Sequence, residues 1–151
     1  EIIAGNGAIA AVKLSLGSFD THGGQPDPHA RLLRELAEGI AALKAALSEI
    51  DRWRNTLIVT YSEFGRRPRE NQSRGTDHGT AAAHFALGGN VRGGLYGDAP
   101  PLSRLEGGNL RFAVDFRSVY ATILQRWWGL DAFAILGERF ETVNIFRGKG
   151  G

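Results

Sequence analysis

The chain has 151 residues, 42% hydrophobic and 23% charged, with a formal net charge of +2 and no cysteine or methionine. This is enough chain for one domain with its own core; it excludes disulfide and thiolate chemistry, and a surplus of two cations is too weak to argue for a nucleic-acid partner. No apolar run nears the roughly 20 residues that a membrane-spanning helix needs.

The first predicted element is a strand over "AIAAVKLSL", residues 8–16, where Val12, Leu14 and Leu16 alternate with Lys13 and Ser15. The glycines and proline of "GSFDTHGGQP", 17–26, mark a loop. A helix follows, from about 28 to about 51, with Asp27 as its N-cap and Pro28 at its first position. Leu32, Leu33, Leu36, Ile40, Leu43, Leu47 and Ile50 recur at spacings of three and four and predict one apolar stripe. "TLIVTY", 56–61, is apolar without alternation and reads as a strand buried on both faces. A charged stretch runs on to Gly79, "AAAHFALGG" at 81–89 reads as a third strand, and 88–111 as irregular. "DFRSVYATILQRWWG" predicts a second helix, capped by Asp115 and stopped by Gly129. Its expected buried face is Phe116, Val119, Tyr120, Ile123, Leu124, Trp127 and Trp128. The tail "RGKGG" is expected to fray.

Strand, long amphipathic crossover and buried strand describe a βαβ unit, so the fold class expected is a single α/β domain with a mainly parallel sheet flanked by helices. Parallel strands near 10–16 and 56–61 would end at the same sheet edge, where open α/β sheets bind ligands. "FDTHGGQPDPH" and "SEFGRRPREN" would then converge there.

All four histidines, His22, His29, His78 and His84, lie in or near these clusters, beside Asp20, Glu63 and Asp77. Mixed imidazole and carboxylate ligands suit zinc, manganese or iron better than calcium. Asp20 and His22 are two apart and face one way in extended backbone. Asp77 and His78 are adjacent, so one can ligate while the other orients. His29, in the first helical turn, is equally a solvated residue or a further ligand. His84 sits in an apolar run and reads as a packed core residue. Arg66, Arg67, Arg69 and Arg74 read either as a solvated face or as a phosphate- or sulfate-binding set. Neither a nucleophile elbow nor a phosphate loop is present.

Taken in order, "FDTHGGQ", His29, "SEFGRRPREN", "GTDHG", "GGLYG" and "DFRSVYATIL" resemble the bacterial domain of unknown function 1501 family across about residues 14–130. That family looks like a branch of the alkaline-phosphatase-like superfamily of phosphatases, sulfatases and cofactor-independent phosphoglycerate mutases. The resemblance implies an α/β fold with a metal site at the C-terminal edge of the sheet. It implies ligand roles for Asp20, Glu63 and His78, with Glu63 where relatives carry the Asp of an Asp-His pair. Phe64 stands where they carry that pair's histidine, and Gly24 where an Asp-x-x-x-His pattern would put its second ligand. The implied cofactor is a divalent metal (zinc, manganese or calcium), the substrate a small anionic ester held by Arg66 or Arg67. The resemblance also implies that this chain is the C-terminal part of a longer one, and that its location is periplasmic or exported. The expected function is that of a metal-dependent hydrolase of phosphate or sulfate esters. The alternative is a non-catalytic anion-binding or structural module that has lost part of the metal site.

Overall fold

The computed structural model describes residues 9–148, so Ala8 of the expected first strand and residues 149–151 of the tail lie outside the described residues. The chain divides into two compact units, Glu1–Thr56 with Arg69–Asp77, and Leu57–Pro68 with His78–Gly151.

In the first unit the dominant element is helix α1, Pro26–Glu49. It begins two residues earlier than Asp27 and Pro28 imply. Pro26 takes the first position, where a missing N–H costs nothing, and Gln25 is the N-cap. Asp27 sits in the first turn, favourable beside the positive end of the helix. Leu32 and Leu47 are buried and Leu36, Ile40 and Leu43 half-buried, which reproduces most of the predicted stripe. Leu33 and Ile50, at its margins, are exposed. The helix ends where Asp51 adopts a positive φ of 53° and the N–H of Arg52 returns to the carbonyl of Leu47 at 2.7 Å.

The mainly parallel sheet is not what the chain forms. Residues 9–19 enter no ladder, and Val12, Leu14 and Leu16 are exposed. Alternation supplies a face to bury, but a strand also needs a neighbour for its N–H and C=O groups, and periodicity does not name one. The run 56–61 contributes only β1, Ile58–Val59. The described strands form two short antiparallel pairs instead. In the second unit β1 pairs with β4, Ala86–Leu87, in the register Ile58↔Leu87 and Val59↔Ala86. That pair is extended by the N–H of Thr60 donating to the carbonyl of Phe85 at 2.9 Å. The other pair is a hairpin of β2, Gly65–Glu70, and β3, Thr76–Gly79; its tip belongs to the first unit and its base to the second. His84 is exposed, not packed in a core.

Further along the second unit, α2, Phe116–Thr122, continues through a π-helical turn, Ile123–Trp127, to a left-handed Gly129. A short helix α3, Ala132–Leu136, follows. The buried face of α2 is Ala121 and Thr122, whereas Phe116, Tyr120 and Trp128 of the expected face are exposed. The π turn shifts register after Thr122, so one uninterrupted 3.6-residue stripe cannot describe both segments. Thr122 is wholly buried; its hydroxyl donates to the carbonyl of Ser118 and accepts from the N–H of Val143 at 2.7 Å.

Asp115 caps α2 as expected, accepting from the N–H of Arg117 at 2.8 Å. The Arg117 guanidinium also bonds both carboxylate oxygens, at 3.0 and 2.7 Å, and these hydrogen bonds hold the Asp115 carboxyl below its usual range. A depressed folded pKa adds stability that is complete above the unfolded value of about 3.9 and is lost as pH falls through the lower folded value. Removing the cap with Asp115→Ala is expected to cost about 1 kcal/mol at neutral pH. Asp115→Asn keeps an acceptor but no charge, so its deficit against the wild type should shrink as pH falls from 6 to 2. Urea midpoints along that series check it; a deficit that does not change with pH would remove the charge from the account.

Candidate functional site

The loop before α1 is held to the tip of the β2–β3 hairpin within the first unit. The N–H of Gly24 donates to Ser73 and that of Gln25 to Arg74, both at 2.9 Å. The Gln25 side chain donates to Thr21 Oγ1 at 2.9 Å and accepts from Thr76 Oγ1 at 3.1 Å. Gly75 is buried where the two segments meet, and a Cβ there would lie 2.6 Å from the nitrogen of Gly23 and closer still to the carbonyl group of His22. Real Cβ atoms do not approach backbone so closely, so only glycine lets the tip seat against the loop.

Three of the predicted residues meet on this support. His22 Nε2 lies 3.0 Å from Asp20 Oδ1, and His22 Nδ1 lies 3.5 Å from Asp77 Oδ1. Each ring nitrogen therefore faces a carboxylate. Asn71 adds a fourth group: its amide nitrogen is 3.0 Å from Asp77 Oδ1 and 3.0 Å from the His22 carbonyl. The side chains of His22, Asp20 and Asp77 are 48%, 58% and 59% exposed, a setting in which an ion pair is worth about 0–1 kcal/mol. Stability alone is thus a poor reason for so much ordered polar structure.

His29 packs edge-on to Phe19, ring centroids 6.0 Å apart. Glu63 and His78 belong to the second unit. Glu63 is exposed in the bend between β1 and β2. The ring of His78, in β3, stacks on Phe64, centroids 3.8 Å apart and planes 8° from parallel. The Arg66 guanidinium lies over the other partner of that stack, 4.9 Å from the Phe64 centroid, and Arg67 Nε donates to the carbonyl of His78 at 3.3 Å. Phe64, which stands where the resemblance leads one to expect a histidine, thus carries an imidazole by stacking.

Asn71 and Gly75 were not singled out from the sequence. The signal that marks them is "NQSRG": an Asn that can bond its own backbone two residues on, followed by a glycine.

The profile of a family described as protein of unknown function (DUF1501) matches residues 6–136. No curated protein and no solved structure matches. Among the described residues, no helix is long and apolar enough to cross a membrane.

Proposed function

We propose that this chain, which belongs to the DUF1501 family of proteins of unknown function, binds a divalent metal through Asp20 and His22 and acts on phosphate or sulfate esters. The observation that carries the reading is the 3.0 Å between His22 Nε2 and Asp20 Oδ1. Two ligands each about 2.0–2.2 Å from one ion sit roughly 3–3.5 Å apart, so this pair has the spacing of adjacent ligands. With a metal on Nε2, Asp77, 3.5 Å from the opposite ring nitrogen, would be the partner that a ligating histidine needs, accepting from Nδ1–H and fixing the tautomer. Imidazole with carboxylate favours zinc or manganese over calcium.

A bound metal would polarise the ester oxygen and lower the pKa of its water. The chain's own part is to hold the ligand atoms at fixed separation and keep the His22 ring in one orientation. The family resemblance adds ligand roles for Glu63 and His78, and roles for Arg66 and Arg67 as cations for the substrate anion. The support is the site and the motifs; it does not include a parallel sheet.

The test is calorimetric titration of the full chain with zinc, manganese and calcium, followed by assay against aryl phosphates and sulfates. The expected result is metal-dependent turnover that falls at least ~10-fold in His22→Ala, since even outer partners of a metal are worth 10–100-fold. Glu63→Gln and His78→Ala test the roles assigned by resemblance. A protein with neither metal affinity nor turnover would instead be a non-catalytic anion-binding or structural module.

A further inference from the structure

We infer that Asn71 is a positioning residue of the metal site, acting through Asp77 and the backbone of His22. The inference rests on the metal reading above but names a residue outside the ligand set.

A primary amide has two N–H donors and one oxygen able to accept twice. Asn71 spends all four. Its Nδ2 donates to the His22 carbonyl and to Asp77 Oδ1, each at 3.0 Å, and its Oδ1 accepts from the N–H groups of Ser73 and Gly75, each at 3.0 Å. The orientation of the amide follows from these partners. Turned over, its NH₂ would face two N–H donors and its oxygen would face a carbonyl and a carboxylate, so all four bonds would be lost.

The two ends of the side chain do different jobs. The oxygen closes the turn at the hairpin tip, together with the Asn71 N–H donating to Gly75 at 2.8 Å and the Arg74 N–H donating to Asn71 at 3.2 Å. The nitrogen reaches out of the turn, across 49 residues of sequence to the loop before α1 and across six to β3. A residue needed only for the turn has no use for that second end. The Asp77 oxygen that Asn71 holds is also the one facing His22 Nδ1. The order of control therefore runs from Asn71 to Asp77 to the His22 ring, while the grip on the His22 carbonyl fixes the same residue from its backbone. Loss of the donors would leave the ligand pair present but loosely aimed, which metal affinity registers steeply.

Manganese and zinc affinity of the full chain, measured by calorimetry in a double-mutant cycle, tests this. Asn71→Ser keeps a short acceptor for the turn and removes both long donors; Asp77→Asn removes the orienting carboxylate. Each single variant is expected to weaken binding ~10–100-fold. The double variant should bind about as weakly as the weaker single, because both changes break one chain of control. Losses that multiply would show that Asn71 acts independently of Asp77 and overturn the inference, as would an unchanged affinity in Asn71→Ser. Circular dichroism and urea midpoints confirm that the variants fold. Should Asn71→Ser fail to fold, Asn71→Asp retains both turn acceptors and lacks both donors. Its added negative charge favours cations, so a several-fold weaker affinity supports positioning and a tighter one refutes it. A wild-type chain that binds neither metal removes the metal reading and this inference together; a wild type that binds while the Asn71 variants match it removes only this inference.

Discussion

Gly75→Ala is expected to cost about 3 kcal/mol, at the upper end of what inserting one methyl group into a packed site costs. The new Cβ would meet the His22 carbonyl group and lie 2.6 Å from the nitrogen of Gly23. The obstacle is backbone, which cannot swing aside as a side chain does. The hairpin tip must therefore lift off the loop or the loop must shift, and either movement breaks the hydrogen bonds from Gly24 to Ser73 and from Gln25 to Arg74. The same movement separates Asp77 from His22, so metal affinity should fall along with stability. Gly39, within α1, is the internal control: nothing lies within 4 Å of a Cβ there, and Gly39→Ala should stabilise by up to ~1 kcal/mol through helix propensity. Urea midpoints of the two variants check the contrast. A Gly75→Ala protein as stable as the wild type would mean that the tip does not seat on the loop.

The second large effect is linkage between metal and folding. A metal at 100 times its Kd raises stability by about 2.7 kcal/mol when only the folded chain binds it. For a chain of this length that is roughly 5–10 °C in Tm. Asp20→Asn and His22→Ala should each abolish most of the rise while changing the metal-free Tm little. Both side chains are about half exposed or more, and an exposed pair contributes about 0–1 kcal/mol by itself. Thermal melts with and without manganese or zinc measure it. An equal rise in wild type and both variants would place the binding elsewhere. A large fall in metal-free Tm would make the cluster a structural brace instead of a site.

The sequence by itself determined helix α1 and the cap of α2. Leucines at spacings of three and four define a stripe wherever a helix forms, and Asp115 bonds a nitrogen only two residues away. These are local facts, fixed by 3.6 residues per turn and by short side chains. It also marked Asp20, His22, Glu63, Asp77 and His78 as candidate ligands, because mixed imidazole and carboxylate side chains cluster in those segments.

What only the tertiary structure decided was pairing. Val12, Leu14 and Leu16 have the alternation of a strand and enter no ladder, while "GRRPRE", charged and carrying a proline, is a strand, β2. A two-stranded ribbon needs hydrogen bonds along one edge and no apolar face, so composition hides it. "FDTHGGQPDPH" and "SEFGRRPREN" were expected to converge at the edge of a parallel sheet; the join seen within the first unit is between the loop at 20–25 and the tip at 71–76. It forms through Asn71, Gly75 and Gln25, since the shape of a turn and the room beside a glycine decide which distant backbone can approach. Spacing in sequence tells which side chains share a face of one element. Which two elements meet is set by steric fit and by the hydrogen bonds each must complete, and those are properties of the folded chain alone.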